Sequence, residues 1–262
     1  MTRRSECALI TGASTGLGRE FSRLAAADGY DLILVSRDTQ RLQTVAAELR
    51  GTNGVDIMTI PCDLSVAGAA PTLHADVTSR GRTVDVLINN AGFGRLGYFS
   101  QHDVDNIASM IQTNVTALTL LTRLFLDGML GRKHGKILNV ASLAAYTPGP
   151  LMAVYHATKS YVLALTEAIA EEVRGSGVSA SVLVPGITRT DFQARAGIPP
   201  ASIGRGAMSA AAVAQAGYHA MLDGKTVCVA GAGNRVLGFL AQHAPHSISI
   251  RVAHKMQRKL LR

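Results

Sequence analysis

Tyr155 and Lys159 stand four residues apart in the run SLAAYTPGPLMAVYHATK, residues 142–159, which opens on Ser142. If the chain is helical from residue 153 onward, the phenol and the ammonium share one face, a turn apart. A neighbouring positive charge favours phenolate, so the tyrosine pKa is expected to fall below its usual value of about 10. A tyrosine tuned in this way trades a proton with a substrate oxygen near neutral pH. With six tyrosines in the chain, chance can produce one such pair. Its meaning depends on the elements that carry it.

Short apolar runs at residues 7–10, 31–35, 55–60, 84–88, 136–140, 178–184 and 226–229 read as strands. Helix-like segments at 18–28, 39–50, within 66–80, 104–130, 153–174 and 210–222 alternate with them. Near-continuous apolar strands between amphipathic helices predict a parallel sheet covered on both faces. Seven strands in that rhythm predict an α/β fold, a single doubly wound Rossmann-type domain over residues 1–246. A loop of about twenty residues after Pro185 lies at the carboxyl ends of such strands, where substrates bind and a mobile lid belongs. Residues 247–262 read as a basic amphipathic tail, with Ile248, Val252, Met256 and Leu260 at every fourth position. The apolar stripe of that tail is expected to pack on the body or a neighbouring subunit, with weak contact to an anionic membrane surface as the alternative.

The 262 residues carry a net charge of +8, and five of the cations fall in the last twelve positions. The rest is only mildly basic, which gives no reason to expect nucleic acid as a partner. The three cysteines, Cys7, Cys62 and Cys228, sit in or beside apolar runs and favour a reducing, cytoplasmic compartment over a disulfide framework. MTRRSEC is too short and polar for a secretory signal, and Arg123 and Asp127 break the most apolar helical run. None of the eight histidines has a spacing typical of a metal site, and His156 reads as a packed or surface residue.

Gly12, Gly16 and Gly18 fall where the first strand turns into a helix. Glycines there allow positive φ, backbone approach to a pyrophosphate and close helix–strand packing. The helix start adds free N–H groups and a positive dipole. Ser36 and Arg37 follow the second strand, where an acidic residue would select NAD(H). A guanidinium suits a 2′-phosphate, so NADP(H) is expected over NAD(H), with Asp38 arguing the other way and Arg19 as a further nearby cation.

TGASTGLG (11–18), CDL (62–64), NNAG (89–92), Asn114, Ser142, YHATK (155–159) and PGITRT (185–190) resemble, in order and spacing, the short-chain dehydrogenase/reductase family. NNAGFGRLGYF, AVYHATKSYVLALTEAIAEE and GKTVCVAGAGN look like its branch of broad ketoacyl, ketosteroid and aldehyde reductases. The resemblance implies an NADP(H)-dependent carbonyl reductase acting on a small carbonyl or alcohol compound, and a homodimer or homotetramer. It implies that the turn from Gly12 through Ser14, Thr15, Gly16, Leu17 and Gly18 holds the dinucleotide. Asp63 and Leu64 would meet the adenine, Asn90, Ala91 and Gly92 the ribose and sheet edge, and Ile187, Thr188 and Thr190 the carboxamide. Tyr155 would be the proton donor and Ser142 a donor to the substrate oxygen. Lys159 would bind the nicotinamide ribose, and Asn114 would hold a water linking Lys159 to solvent. Met152 and Phe93 would border the substrate, or serve only as core. Two rival readings are a non-catalytic NADP(H)-binding regulator and an isomerase or epimerase with a retained nicotinamide.

Overall fold

The computed structural model describes residues 6–199 and 206–261. Strands β1 (Cys7–Thr11), β2 (Asp31–Ser36), β3 (Ile57–Pro61), β4 (Val86–Asn89), β5 (Gly135–Val140) and β6 (Val178–Val184) are followed by two short strands, β7 (Thr188–Arg189) and β8 (Met208–Ser209), and by β9 (Val227–Val229). Seven of them form one parallel sheet in the order β3-β2-β1-β4-β5-β6-β9, while β7 and β8 pair apart. The order reverses between β1 and β4, opening a crevice at their carboxyl ends.

Alternation along each strand divides the core in two. Ala8, Ile10, Leu32, Leu34, Ile88 and Leu138 face one side, under α1 (Gly16–Ala27), α2 (Thr39–Asn53) and α8 (Ala210–Leu222). Leu9, Ile33, Val35, Leu87 and Ile137 face the other, under α3 (Ala69–Ser79), α5 (Leu118–Arg132) and the end of α6 (Ala153–Glu172). Burial on both faces explains why these strands are apolar throughout rather than alternating with polar residues.

Three segments differ from the sequence reading. The helix expected over 104–130 is α4 (Val104–Ile111) and α5 joined by a π-helical turn at Gln112–Ala117. Such widened turns are common at functional sites, and this one carries Asn114. The loop after Pro185 holds β7, a short helix α7 (Phe192–Ala196) and β8; its residues 200–205 lie outside the described residues. The chain then adds α9 (Ala232–His243), which glycines and exposed apolar residues disguise in the sequence, and α10 (His246–Arg258), the expected tail.

The apolar stripe of the tail does not pack on the body of this chain, which leaves the expected neighbouring subunit or membrane surface to cover it. The small and polar side of the tail, Ser249 and Gln257, is buried, whereas Ile248, Val252 and Met256 point outward. The physical reason lies at α6: the Gln257 amide reaches the Nε2 of buried His156 at 2.8 Å. His156 Nδ1 donates to the Thr147 carbonyl at 2.7 Å. Burial lowers the His156 pKa, in keeping with a neutral ring that accepts from Gln257.

Candidate active site

Tyr155 lies in the first turn of α6, and Ser142 at the end of β5, just before a 3-10 turn at Leu143–Tyr146. The Ser142 Oγ accepts from the Ala144 amide at 3.2 Å, and its own proton is turned to the Tyr155 phenol. Lys159, one turn on and buried, donates from Nζ to the Val140 carbonyl at 2.7 Å, and Nζ stands 5.8 Å from the centre of the Tyr155 ring. One strand end and one helix face thus bring all three groups together.

The expected fall in the Tyr155 pKa is not what the fold produces. Burial pushes the phenol up to about 12, against a hydrogen bond from Ser142 that pulls it down. Burial also pushes the Lys159 ammonium down to about 8. Both charged forms are disfavoured in the dry pocket, so at neutral pH the pair is a protonated phenol beside an ammonium.

Asn114 is buried and fully tied. Its Oδ1 accepts from the Phe93 amide at 3.0 Å, and its Nδ2 donates to the Phe93 carbonyl at 2.9 Å and the Thr158 hydroxyl at 3.1 Å. It therefore clamps the NNAG turn to α6. A Cβ on Gly92 would meet Asn114 Oδ1 at 3.0 Å and Lys159 Nζ at 3.4 Å, so glycine is what lets the three converge.

One side of this corner is walled mainly by apolar side chains, with Arg95 and His102 farther along the crevice. Gly94 lies flat against Tyr155, where a Cβ would come within 3.0 Å of both Met152 and the Tyr155 ring and 3.1 Å of Phe192. The Phe192 and Tyr155 rings are 5.3 Å apart. A narrow crevice continues past Met110, Met152 and Phe99. Buried Leu151 is held at φ 70° just before this wall, a left-handed conformation that a leucine adopts only when its surroundings impose it.

At the other end of the crevice the glycines let β1, α1 and the segment after β4 approach one another closely. Gly12 and Gly16 have φ of 66° and 54°. A Cβ on Gly18 would lie 2.1 Å from the Gly12 carbonyl oxygen, and one on Gly16 would lie 3.1 Å from Thr190. Thr15 precedes the first turn of α1, which contains no acidic residue. The Ser14 and Ser36 hydroxyls share a hydrogen bond of 2.8 Å. Leu17 is partly buried against the core. The Asn90 amide donates to the carbonyls of Thr11 at 2.9 Å and Gly12 at 3.3 Å, tying β4 to the glycine turn, while Thr11 Oγ1 receives the amides of Asn90 and Ala91. Thr11 thus belongs to the framework of the site, a role its apolar strand hid in the sequence.

Arg37 is exposed at the end of β2. Asp63 is raised by partial burial, but two Ser65 hydrogen bonds and the Arg37 charge outweigh that and hold it below the usual range. Leu64 is buried behind it. Asp38 is occupied: its carboxylate caps α2, accepting from the Arg41 amide at 3.0 Å, and pairs with the Arg41 side chain at 3.3 Å. Arg19 pairs with Glu48 at 2.7 Å.

A strap absent from the sequence reading spans the crevice. Asp191, just before α7, binds Arg41 at 3.1 Å and Arg195 at 3.6 Å, and Arg195 donates to the Thr15 hydroxyl at 2.7 Å. Thr190 accepts from the Phe192 amide at 3.2 Å, and buried Thr188 bonds the Gly186 carbonyl at 3.0 Å; Ile187 is exposed. The PGITRT segment therefore closes over the glycine turn.

The model of the short chain dehydrogenase family matches residues 6–198. The chain belongs to the short-chain dehydrogenase family. It is 32% identical over 183 residues, 69% of its length and 52% of the other's, to the very-long-chain 3-oxoacyl-CoA reductase of Mycosarcoma maydis. It is 35% identical over 185 residues to a ketoacyl reductase of a Nostoc species, covering 71% of this chain and 64% of that protein. Among solved structures it resembles a short-chain dehydrogenase of Sphingobium yanoikuyae in complex with NADPH, with a TM-score of 0.82, 30% identity, and 89% and 92% of the two chains covered. The chain spans about half the length of the first of these curated relatives. In this short-chain dehydrogenase, the family match covers the Ser142, Tyr155 and Lys159 cluster and the glycine turn, and ends before α8.

Proposed function

We propose that this protein is an NADP(H)-dependent oxidoreductase that interconverts a carbonyl and an alcohol on an apolar substrate, with Tyr155 as acid and base. The observation that carries this reading is the convergence of Ser142, Tyr155 and Lys159 in one buried corner that opens onto a glycine cradle. A nicotinamide bound along that cradle would supply or accept the hydride.

The chain's own residues supply the proton chemistry. Tyr155 is protonated at neutral pH, so it enters reduction as the acid and gives its proton to the substrate oxygen. The Ser142 hydroxyl, which bonds the Tyr155 phenol when no substrate is bound, would turn its proton to the same oxygen and stabilise charge that develops there. Lys159 keeps a positive charge beside the phenol below about pH 8, favouring the tyrosinate left behind, and its remaining N–H groups suit the nicotinamide ribose. Asn114 holds the turn beside Lys159, and a water linking that lysine to solvent would need the one side-chain acceptor position that the Phe93 amide leaves open on Asn114. The wall of Gly94, Met152 and Phe192 excludes water and favours an apolar ketone. The names of the ketoacyl and 3-oxoacyl reductase relatives support the same class.

NADP(H) preference rests on Arg37 and on the engagement of Asp38 with α2 and Arg41. A carboxylate already used as a helix cap competes poorly for a ribose hydroxyl, and the exposed guanidinium next to Asp63 suits a phosphate. The free thiols of Cys7, Cys62 and Cys228 support a reducing, cytoplasmic compartment.

Oxidation of NADPH with a panel of aliphatic, 3-oxoacyl and cyclic ketones tests the reading. Turnover is expected with apolar members. Tyr155→Phe should lose at least about a thousandfold in kcat while the Kd for NADPH, from fluorescence titration, stays within about threefold. Full turnover by that variant would remove Tyr155 from its role. Arg37→Asp should shift the NADPH/NADH ratio of kcat/KM toward NADH by about tenfold or more; an unchanged ratio defeats the Arg37 argument.

A further inference from the structure

The C-terminal helices present a surface that neither the site nor the core uses. On α9, Leu237, Phe239 and Leu240 are each more than half exposed, and on α10 so are Ile248, Val252 and Met256. Only Gly238 of α9 is buried, against Tyr146 and Leu143. Exposed apolar side chains of this size on two successive helices mark an interaction surface.

Charge on the same segment selects the partner. Residues 224–262 contain Lys225, Arg235, Arg251, Lys255, Arg258, Lys259 and Arg262 and no aspartate or glutamate, so they hold seven of the eight net positive charges of the chain. With 3.6 residues per turn, roughly, and Ser249 and Gln257 turned inward, Ile248, Val252 and Met256 occupy one side of the outward arc of α10. Arg251, Lys255 and Arg258 occupy the adjacent side, and Lys259 follows in the 3-10 turn after α10. An isologous contact with a second copy would set these cations against each other. An anionic bilayer satisfies both halves of the arc, with apolar side chains at the acyl boundary and cations at the headgroups. Among the described residues no helix is long and apolar enough to cross a membrane, so the contact is peripheral.

We infer that α9 and α10 form a docking surface for an anionic lipid membrane, in which the apolar arc of both helices is immersed and the cationic flank of α10 binds headgroups. The inference stands apart from the catalytic reading.

Flotation of the full chain tests it with vesicles of phosphatidylcholine alone or mixed equally with phosphatidylglycerol. Binding to the mixed vesicles is expected, with little to the neutral ones, and about 0.5 M NaCl should weaken it. Lys255→Gln with Lys259→Gln should cut the partition coefficient about 25-fold, at about fivefold per cation. Phe239→Glu, and separately Val252→Glu with Met256→Glu, should abolish binding while leaving thermal melting and NADPH affinity unchanged. Equal partition into both vesicle types, or none into either, overturns the inference. So does a fall from dimer to monomer by light scattering in Phe239→Glu without vesicle binding in the parent, which would assign the surface to a second copy.

Discussion

Lys159 shows how a single residue serves chemistry at the expense of stability. Its ammonium is buried, with one hydrogen bond to Val140 and its pKa depressed to about 8. In the unfolded chain the same group titrates at about 10.5. Below pH 8 both states are protonated, and the folded state bears the full penalty of a buried charge. As pH rises from about 8 toward 10.5 the folded state has released its proton and the unfolded state has not, so the penalty is relieved and stability rises. Lys159→Met keeps the volume and removes the charge. It should be more stable than the parent at pH 7 by roughly 2 kcal/mol, after allowing for the lost bond to Val140, and that margin should shrink by pH 9.5. Urea midpoints at the two pH values provide the check. An equal margin at both would mean that burial of the charge is not its cause. The same substitution removes the ammonium beside Tyr155, so the gain in stability should accompany a loss of turnover.

At the scale of elements, the site is made by junctions rather than by any one helix. The start of α1 passes so close to the end of β1 that a Cβ on Gly18 would overlap the Gly12 carbonyl and approach Asn90 Nδ2 at 2.7 Å. Gly18→Ala therefore has to displace backbone, and the Asn90 amide that ties β4 to the turn must give way too. The expected cost is about 1–3 kcal/mol in unfolding free energy, with NADPH affinity reduced at least about tenfold by titration. Gly29→Ala makes a useful contrast. It faces open space but has a φ of 81°, so it should lower stability through strain alone and leave NADPH affinity unchanged. The π turn is a further junction: it widens α4–α5 where the Asn114 amide must meet both the Phe93 backbone and Thr158. The Asp191 strap is a third, joining α2, α7 and the glycine turn through Arg41, Arg195 and Thr15.

At the scale of the whole molecule, the parallel sheet and its two-sided core were legible because local pattern and global position agree. Strands buried on both faces must be apolar throughout; the glycine turn and Ser142 sit at strand ends that the strand rhythm locates, and Tyr155 and Lys159 on the helix that follows. The tail was legible as an amphipathic helix, but which of its sides meets the body of the chain was not. Its stripe is a property of the helix alone, whereas the side that docks depends on what α6 offers, and α6 offers His156 to Gln257. The strap was illegible for the same kind of reason: Thr15, Arg41, Asp191 and Arg195 are distant in sequence and carry no periodic signal.

The sequence by itself determined the strand and helix rhythm, the family and the chemical groups of the site, since these follow from residue type and short-range spacing. Only the tertiary structure decided the state of those groups. Proximity of Lys159 argues for a lowered Tyr155 pKa, but the depth at which the two are buried raises the phenol to about 12 and lowers the ammonium to about 8. Desolvation depends on every neighbour that excludes water, and those neighbours, Phe192 on the strap, Gly94 after β4 and Val140 at the end of β5, meet only when the chain has folded.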